Sequence, residues 1–421
     1  MNIKKTFLFT SIHTFVKVIV GLIINKVIAV YLGPSGLALY GQFQNFVTII
    51  YAFSSGSIHS GIVKYTAEYH NNKNSLLQIL KSALVITLVA NIIVLTILLI
   101  FSGFFAGKIL FDEKFQYVLI MLAFFTIFNS LNLYLLSFLN GLGEITLFTI
   151  CNILISIITL VVTVILTVQF NIEGTLISLI LIPFITSVIM YLIIFKKYWH
   201  VIKENSRIEN FIDISMIKKL MLFAIITFSS GITVSITMLC IRYNIEGTLS
   251  LHDAGVWEGA WRLVLYFNMV FALPVSIYYI PKFAQTHDNN IIKKNLNEIR
   301  KIFFPLSILL AGIIYISSPI SIPLLFSESF LNIKIILVFI LSAEIIRIQT
   351  MAISNLFQAK ARIWVLLSND ILFSIVFIFS SYIGVVYFGF VGLGYAYLIS
   401  AVISFISYQT LLYKKFNFQE C

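Results

Sequence analysis

Apolar stretches of about 20 residues recur from one end of this 421-residue chain to the other. That is the length a helix needs to cross the hydrocarbon core of a bilayer. Twelve spans can be marked, near 6–31, 37–63, 78–101, 116–139, 145–168, 175–195, 220–242, 253–281, 301–325, 334–358, 363–387 and 393–413. A helix satisfies its own backbone hydrogen bonds in lipid, so the pattern predicts an all-α polytopic membrane protein with about 12 transmembrane helices. The alternating ten-residue strands of an outer-membrane barrel do not occur. Charged residues make up only 11% of the chain, against about 25% in soluble domains. No stretch reads as a separate soluble domain, and the start reads as a first span rather than a cleavable signal.

The net charge of +11 belongs mostly to loops on one side of the membrane rather than to a nucleic-acid surface. About twenty Lys and Arg fall on the N-terminus, every second loop and the tail, against four on the other side: Lys108, Lys114, Arg242 and Lys334. Both termini are therefore expected in the cytoplasm. Three cysteines give no disulfide framework.

The two halves repeat. Leu139–Ile145 matches Phe357–Ile363, and the same shift sets Asn152 against Asp370 and Gly174 against Gly392. Leu110–Phe115 resembles Leu325–Phe330, and Gly36 matches Gly255. Six spans per half is an even number, so the halves are expected to be parallel repeats, with substrate bound near the midplane. The longest polar interruption lies at the middle. It predicts an N-terminal lobe over 1–199, a cytoplasmic linker over 200–219 and a C-terminal lobe over 220–421.

The polar groups inside the spans carry the functional reading. Arg347 lies at the centre of a span, where an arginine costs roughly 3 kcal/mol on insertion scales. At 100° per residue it shares a helix face with Thr350, Ser354 and Gln358. Lys17 lies near the midplane of the first span, on a face with His13 and Thr14, whereas Lys26 is on nearly the opposite face close to the outer end. Lys17 reads as a cavity residue; Lys26 reads equally as a cavity residue or as a lysine snorkelling to the interface. Glu258 with Arg262 and Glu344 with Arg347 stand at pairing distance on their helices. Each pair either lowers insertion cost or opens when an anionic ligand takes the arginine, whose planar fork suits phosphate oxygens. Asp370 is a third intramembrane carboxylate, a partner for Lys17 or Arg347 or a carrier of a coupling ion.

The second span shows a polar stripe, Asn45, Thr48, Ser55 and His59, and the fourth adds Asn129, Asn132 and Asn140. The hydroxyls read as helix–helix glue, and the asparagines as a wet surface suited to sugar hydroxyls. There is no metal-ligand spacing, no nucleophile elbow and no Walker sequence, so no cofactor is expected.

Several stretches resemble one family. Thr14–Leu22, Asn25–Leu37, Gly61–His70 (which includes Lys64), Asp253–Trp257 and Leu273–Pro281 are similar to Wzx-type O-antigen and enterobacterial common antigen flippases. These belong to the multidrug/oligosaccharidyl-lipid/polysaccharide exporter superfamily. The resemblance implies two six-helix lobes in a V shape, as in multidrug and toxic compound extrusion (MATE) transporters. It implies a substrate of undecaprenyl-pyrophosphate-linked oligosaccharide, carried by alternating access from the cytoplasmic to the periplasmic leaflet of a bacterial inner membrane. It also implies a cationic cavity, for which Lys17, Lys26, Arg262 and Arg347 are the matching charge type, and possible partners in a polysaccharide polymerase and a chain-length regulator. The other readings are a cation-coupled multidrug antiporter of the same superfamily and a membrane polymerase or acyltransferase of the same pathway. Lys17 and Lys26 stand where such an antiporter wants a carboxylate, and the short outer loops and missing His/Asp pair weigh against an enzyme.

Overall fold

The computed structural model describes residues 3–203, 214–286 and 288–416. Among these it contains eleven α-helices and two 3-10 turns. The helices are α1 (Ile3–Ser54), α2 (His59–Glu68), α3 (Lys73–Ile109), α4 (Gln116–Gly141), α5 (Ile145–Lys203) and α6 (Ile214–Thr248), then α7 (Leu251–Gln285), α8 (Asn289–Leu325), α9 (Ile333–Ala359), α10 (Ile363–Phe388) and α11 (Val391–Phe416). Three have a non-helical residue within, and in α3 it is Phe101 (φ −105°, ψ 16°), near the end. α1 breaks at Gly33 (φ 65°, ψ −169°), followed by Pro34, and α5 breaks at Asn171 (φ 52°, ψ −134°). With α2 too short to cross, the described helices give the expected twelve membrane-length segments. Eight of the helices are individually long and apolar enough to span a bilayer.

The second span ends earlier than hydropathy suggests. α1 stops at Ser54, and Gly56 (φ 63°) and Ser57 (φ 51°) turn the chain before α2 begins. The hydroxyls of Ser54, Ser55 and Ser57 donate back to the carbonyls of Tyr51 and Ala52, capping the helix end. His59 therefore opens α2 and does not continue the stripe of Asn45 and Thr48.

The chain clusters into two compact units, residues 1–32 with 39–235, and 33–38 with 236–421. In the first, α2, α3 and the start of α6 enclose Ile62, Tyr65, Ile79 and Leu220, while α4 and α5 meet around Leu139 and Cys151. In the second, α7, α8, α9 and α11 enclose Phe283, Leu296, Leu356 and Tyr408.

Taken separately, the units carry the same local geometry where the sequence repeats. α4 closes with Leu142 N–H on Phe138 O at 3.0 Å and Glu144 N–H on Leu139 O at 3.1 Å. α9 closes with Lys360 N–H on Leu356 O at 3.0 Å and Arg362 N–H on Phe357 O at 2.9 Å. The residue that turns each cap is left-handed, Gly143 (φ 73°) in one and Ala361 (φ 53°) in the other. The 3-10 turns Glu113–Phe115 and Glu328–Phe330 are a second match. The breaks at Asn171 and Gly389 (φ 59°, ψ −142°) are a third.

Candidate functional site

Four helices of the second unit bring their polar residues together around Tyr397. Arg347 lies one residue past the middle of α9, and Glu344 precedes it by one turn on the same face. The Glu344 carboxylate is fully buried, while Arg347 keeps 33% of its side chain exposed. Both carboxylate oxygens have donors: Asn268 of α7 reaches Oε2 at 2.7 Å, and the Tyr397 hydroxyl of α11 donates to Oε1. The same hydroxyl accepts from Nη1 of Arg347. The direct Arg347–Glu344 approach is thereby held at 3.6 Å. The guanidinium lies over the ring of Phe373 at 5.0 Å and over that of Tyr397 at 5.6 Å, which fixes its plane. Asp370, one turn before Phe373 on α10, is exposed and lies within electrostatic reach of Arg347.

Trp257 and Trp261 of α7 pack edge-on against Tyr397, with centroids at 6.5 and 6.1 Å. They connect this cluster to a second one. Glu258 sits between two arginines, with Arg242 at 2.8 Å from one oxygen and Arg262 at 2.8 Å from the other. The i,i+4 pair with Arg262 was legible in sequence; Arg242 was not. Loop counting put Arg242 on the outer side of the membrane, but α6 continues to Thr248 and buries it to 1% exposure. The cause is the tight α6–α7 turn, capped by the Ser250 side chain on the Asp253 N–H at 3.0 Å. Arg242 and Glu258 lie nearly equal distances on either side of it and so face each other at the same depth.

In the first unit, Lys17 and Lys26 separate. The exposed large apolar side chains of this part of α1 are Ile12, Phe15, Ile19 and Ile23. At 100° per residue Lys26 falls on that apolar stripe, whereas Lys17 falls about 155° from its centre. Lys17 is exposed on a face that carries His13, and Lys26 is half-buried. Of the two, Lys26 is the one that lies among exposed apolar side chains, as a snorkelling lysine does.

The remaining polar candidates of this unit lie on α1, α2 and α4. Asn45 donates to the Gly41 carbonyl of its own helix at 3.0 Å. Lys64 is exposed, its ammonium 4.8 Å from the centroid of Tyr65, and His59 is half-buried at the start of α2. Asn132, read from sequence as part of a wet surface, is instead buried glue: its amide donates to the Pro183 carbonyl and to Thr186 Oγ1, both at 2.8 Å. Among these residues sequence reasoning missed Tyr397, Asn268 and Arg242. The first two carry no charge and pair across distant helices.

Comparison with known proteins adds to this geometry. The family described as "Polysaccharide biosynthesis protein" matches residues 3–287. The "Lipid III flippase" of Escherichia coli (strain K12) is 22% identical over 411 residues, covering 96% of this chain and 97% of that one; the Shigella flexneri "Lipid III flippase" matches equally. Among solved structures, an inward-facing multidrug resistance MATE family transporter superimposes with a TM-score of 0.77 at 16% identity, over 99% of this chain and 100% of that one. An inward closed conformation of lipid II flippase MurJ gives 0.75 at 18%, over 96% and 87%. At these identities the two structures establish the fold.

Proposed function

The chain belongs to the polysaccharide biosynthesis protein family, and from that premise we propose that it is a flippase for an oligosaccharide carried on a polyprenyl diphosphate. The tail of such a substrate stays in lipid, but its diphosphate and sugars must find substitutes for water. The observation that carries the reading is Arg347, partly exposed at the middle of a membrane-length helix and held by a buried phenol and carboxylate. A guanidinium there offers a planar fork to a phosphate oxygen pair. Arg262, 13% exposed at the edge of the Arg242–Glu258 cluster, adds positive charge on the same unit. In the first unit, Lys17 is an exposed cation on the face of α1 turned from its apolar stripe.

On this reading the protein works as a transporter in a bacterial inner membrane, with both termini cytoplasmic. A polysaccharide polymerase and a chain-length regulator use what it delivers. The experiment is reconstitution of the full chain in proteoliposomes loaded with a polyprenyl-diphosphate oligosaccharide. Exposure of the glycan to an added glycosidase is followed over time. Protein-dependent exposure that Arg347→Gln abolishes is the expected result. Exposure at the rate of protein-free vesicles overturns the proposal.

A further inference from the structure

The second unit holds two Glu–Arg helix pairs that differ in one respect. Glu258 and Arg262 touch at 2.8 Å, and Glu258 also takes Arg242 at 2.8 Å. Glu344 and Arg347 stop at 3.6 Å, with the Tyr397 hydroxyl bonded to both. Geometry along the helix does not explain the gap, since i,i+3 and i,i+4 partners are both neighbours on a helix surface. The phenol does. It gives its proton to Glu344 and its lone pair to Arg347, and Asn268 fills the other carboxylate oxygen at 2.7 Å.

We infer that Tyr397 is a positioning residue that keeps Arg347 available to an oxyanion by preventing its collapse onto Glu344. In a contact pair the carboxylate takes the guanidinium N–H donors that an entering diphosphate would need. Here neutral donors fill the hydrogen-bonding sites of Glu344, which stays 3.6 Å from Arg347 as a counter-charge without taking its N–H groups directly. The ring of Phe373 at 5.0 Å holds the guanidinium plane, and a third of the side chain faces outward. The fully buried Tyr397 ring is itself fixed by Trp257, Trp261, Phe373 and Phe377. Its hydroxyl therefore has little freedom to move aside.

The inference rests on the proposed flippase reading, and the test separates the two. Binding of a fluorescent short-chain polyprenyl diphosphate is measured on the purified full chain in nanodiscs. Tyr397→Phe keeps the ring contacts and removes the spacer, so binding is expected to weaken about tenfold, a change of about 1.4 kcal/mol. Adding Glu344→Gln to Tyr397→Phe removes the charge that captures Arg347, and binding is expected to return to within about twofold of the native value. A merely structural role for Tyr397 would not be rescued this way. Native-like binding by Tyr397→Phe, or no rescue in a double variant that melts like the native protein, overturns the inference. Should Tyr397→Phe not fold, Glu344→Gln alone is expected to bind at least as tightly as the native chain, and weaker binding overturns the inference. Arg347→Gln binding like the native chain would instead remove the diphosphate site on which the flippase reading rests.

Discussion

Gly392 and Gly384 meet backbone to backbone: a Cβ on Gly392 would stand 2.0 Å from the Gly384 carbonyl oxygen. The first unit repeats the contact, with a Cβ on Gly174 2.1 Å from the Leu166 carbonyl oxygen. Small residues let membrane helices approach this closely. Gly392→Ala is expected to push α10 and α11 apart and cost about 1–3 kcal/mol or more. Thermal unfolding in detergent measures it; an unchanged melting temperature would rule out the close crossing.

The cap of α9 is strained where the cap of α4 is not. Ala361 adopts φ 53° at the position that Gly143 fills in the first unit. A left-handed residue with a Cβ costs roughly 1–2 kcal/mol. Ala361→Gly is therefore expected to raise stability by about 1 kcal/mol and Gly143→Ala to lower it by a similar amount. Opposite shifts in melting temperature check the pair.

Arg242 and Arg347 are both intramembrane arginines, but their losses should differ in kind. Arg242 is buried and closes a triad with Glu258 and Arg262. Arg242→Ala is expected to destabilise by about 3–5 kcal/mol, the cost of breaking a buried pair, and to lower the amount of folded protein. Arg347→Ala is expected to leave the amount in the membrane intact and to abolish export of the surface polysaccharide. Arg347→Lys should be milder, because it keeps the charge and loses the fork. Quantifying membrane levels beside the polysaccharide ladder in the native host separates the two outcomes.

Lys17→Ala and Lys26→Ala should likewise part. Lys17 lies away from the apolar stripe of Ile12, Phe15, Ile19 and Ile23, and Lys26 lies on it. Export is expected to fall at least about tenfold for Lys17→Ala and less than about twofold for Lys26→Ala. Equal losses would place both lysines in one role.

How much of this could be read from sequence depended on whether the signal was local. The twelve spans follow from hydropathy because lipid demands unbroken helices. The repeat of Leu139–Ile145 in Phe357–Ile363 reappears as one helix cap built twice. The end of the second span was misplaced because the chain stays apolar on both sides of the turn at Gly56 and Ser57. Glu344 and Arg347 announced themselves by charge and spacing, but Tyr397 is one of 20 tyrosines, and its two hydrogen-bond partners lie on another helix, α9. The repeat adds one more contrast. The shift that sets Asn152 against Asp370 also sets Asn129 against Arg347, so the second half carries charge where the first carries amides.

Proline leaves one carbonyl of α5 without its helical donor. Pro183 lies inside α5 and has no N–H to give to the Leu179 carbonyl one turn earlier. The Tyr51 hydroxyl of α1 donates to that oxygen instead, at 3.1 Å. In hydrocarbon an unsatisfied carbonyl has no water to turn to, so the tyrosine bond ties α1 to α5 at the point where proline weakens the helix. Tyr51→Phe is expected to cost about 1 kcal/mol, within the range for side-chain bonds between membrane helices. In a Pro183→Ala background the alanine N–H restores the helical bond, and the cost of Tyr51→Phe should fall towards zero. Four melting curves, for the native chain, each single variant and the double, close this cycle. A Tyr51→Phe penalty of the same size with and without Pro183 would mean that the hydroxyl stabilises through something other than the freed carbonyl.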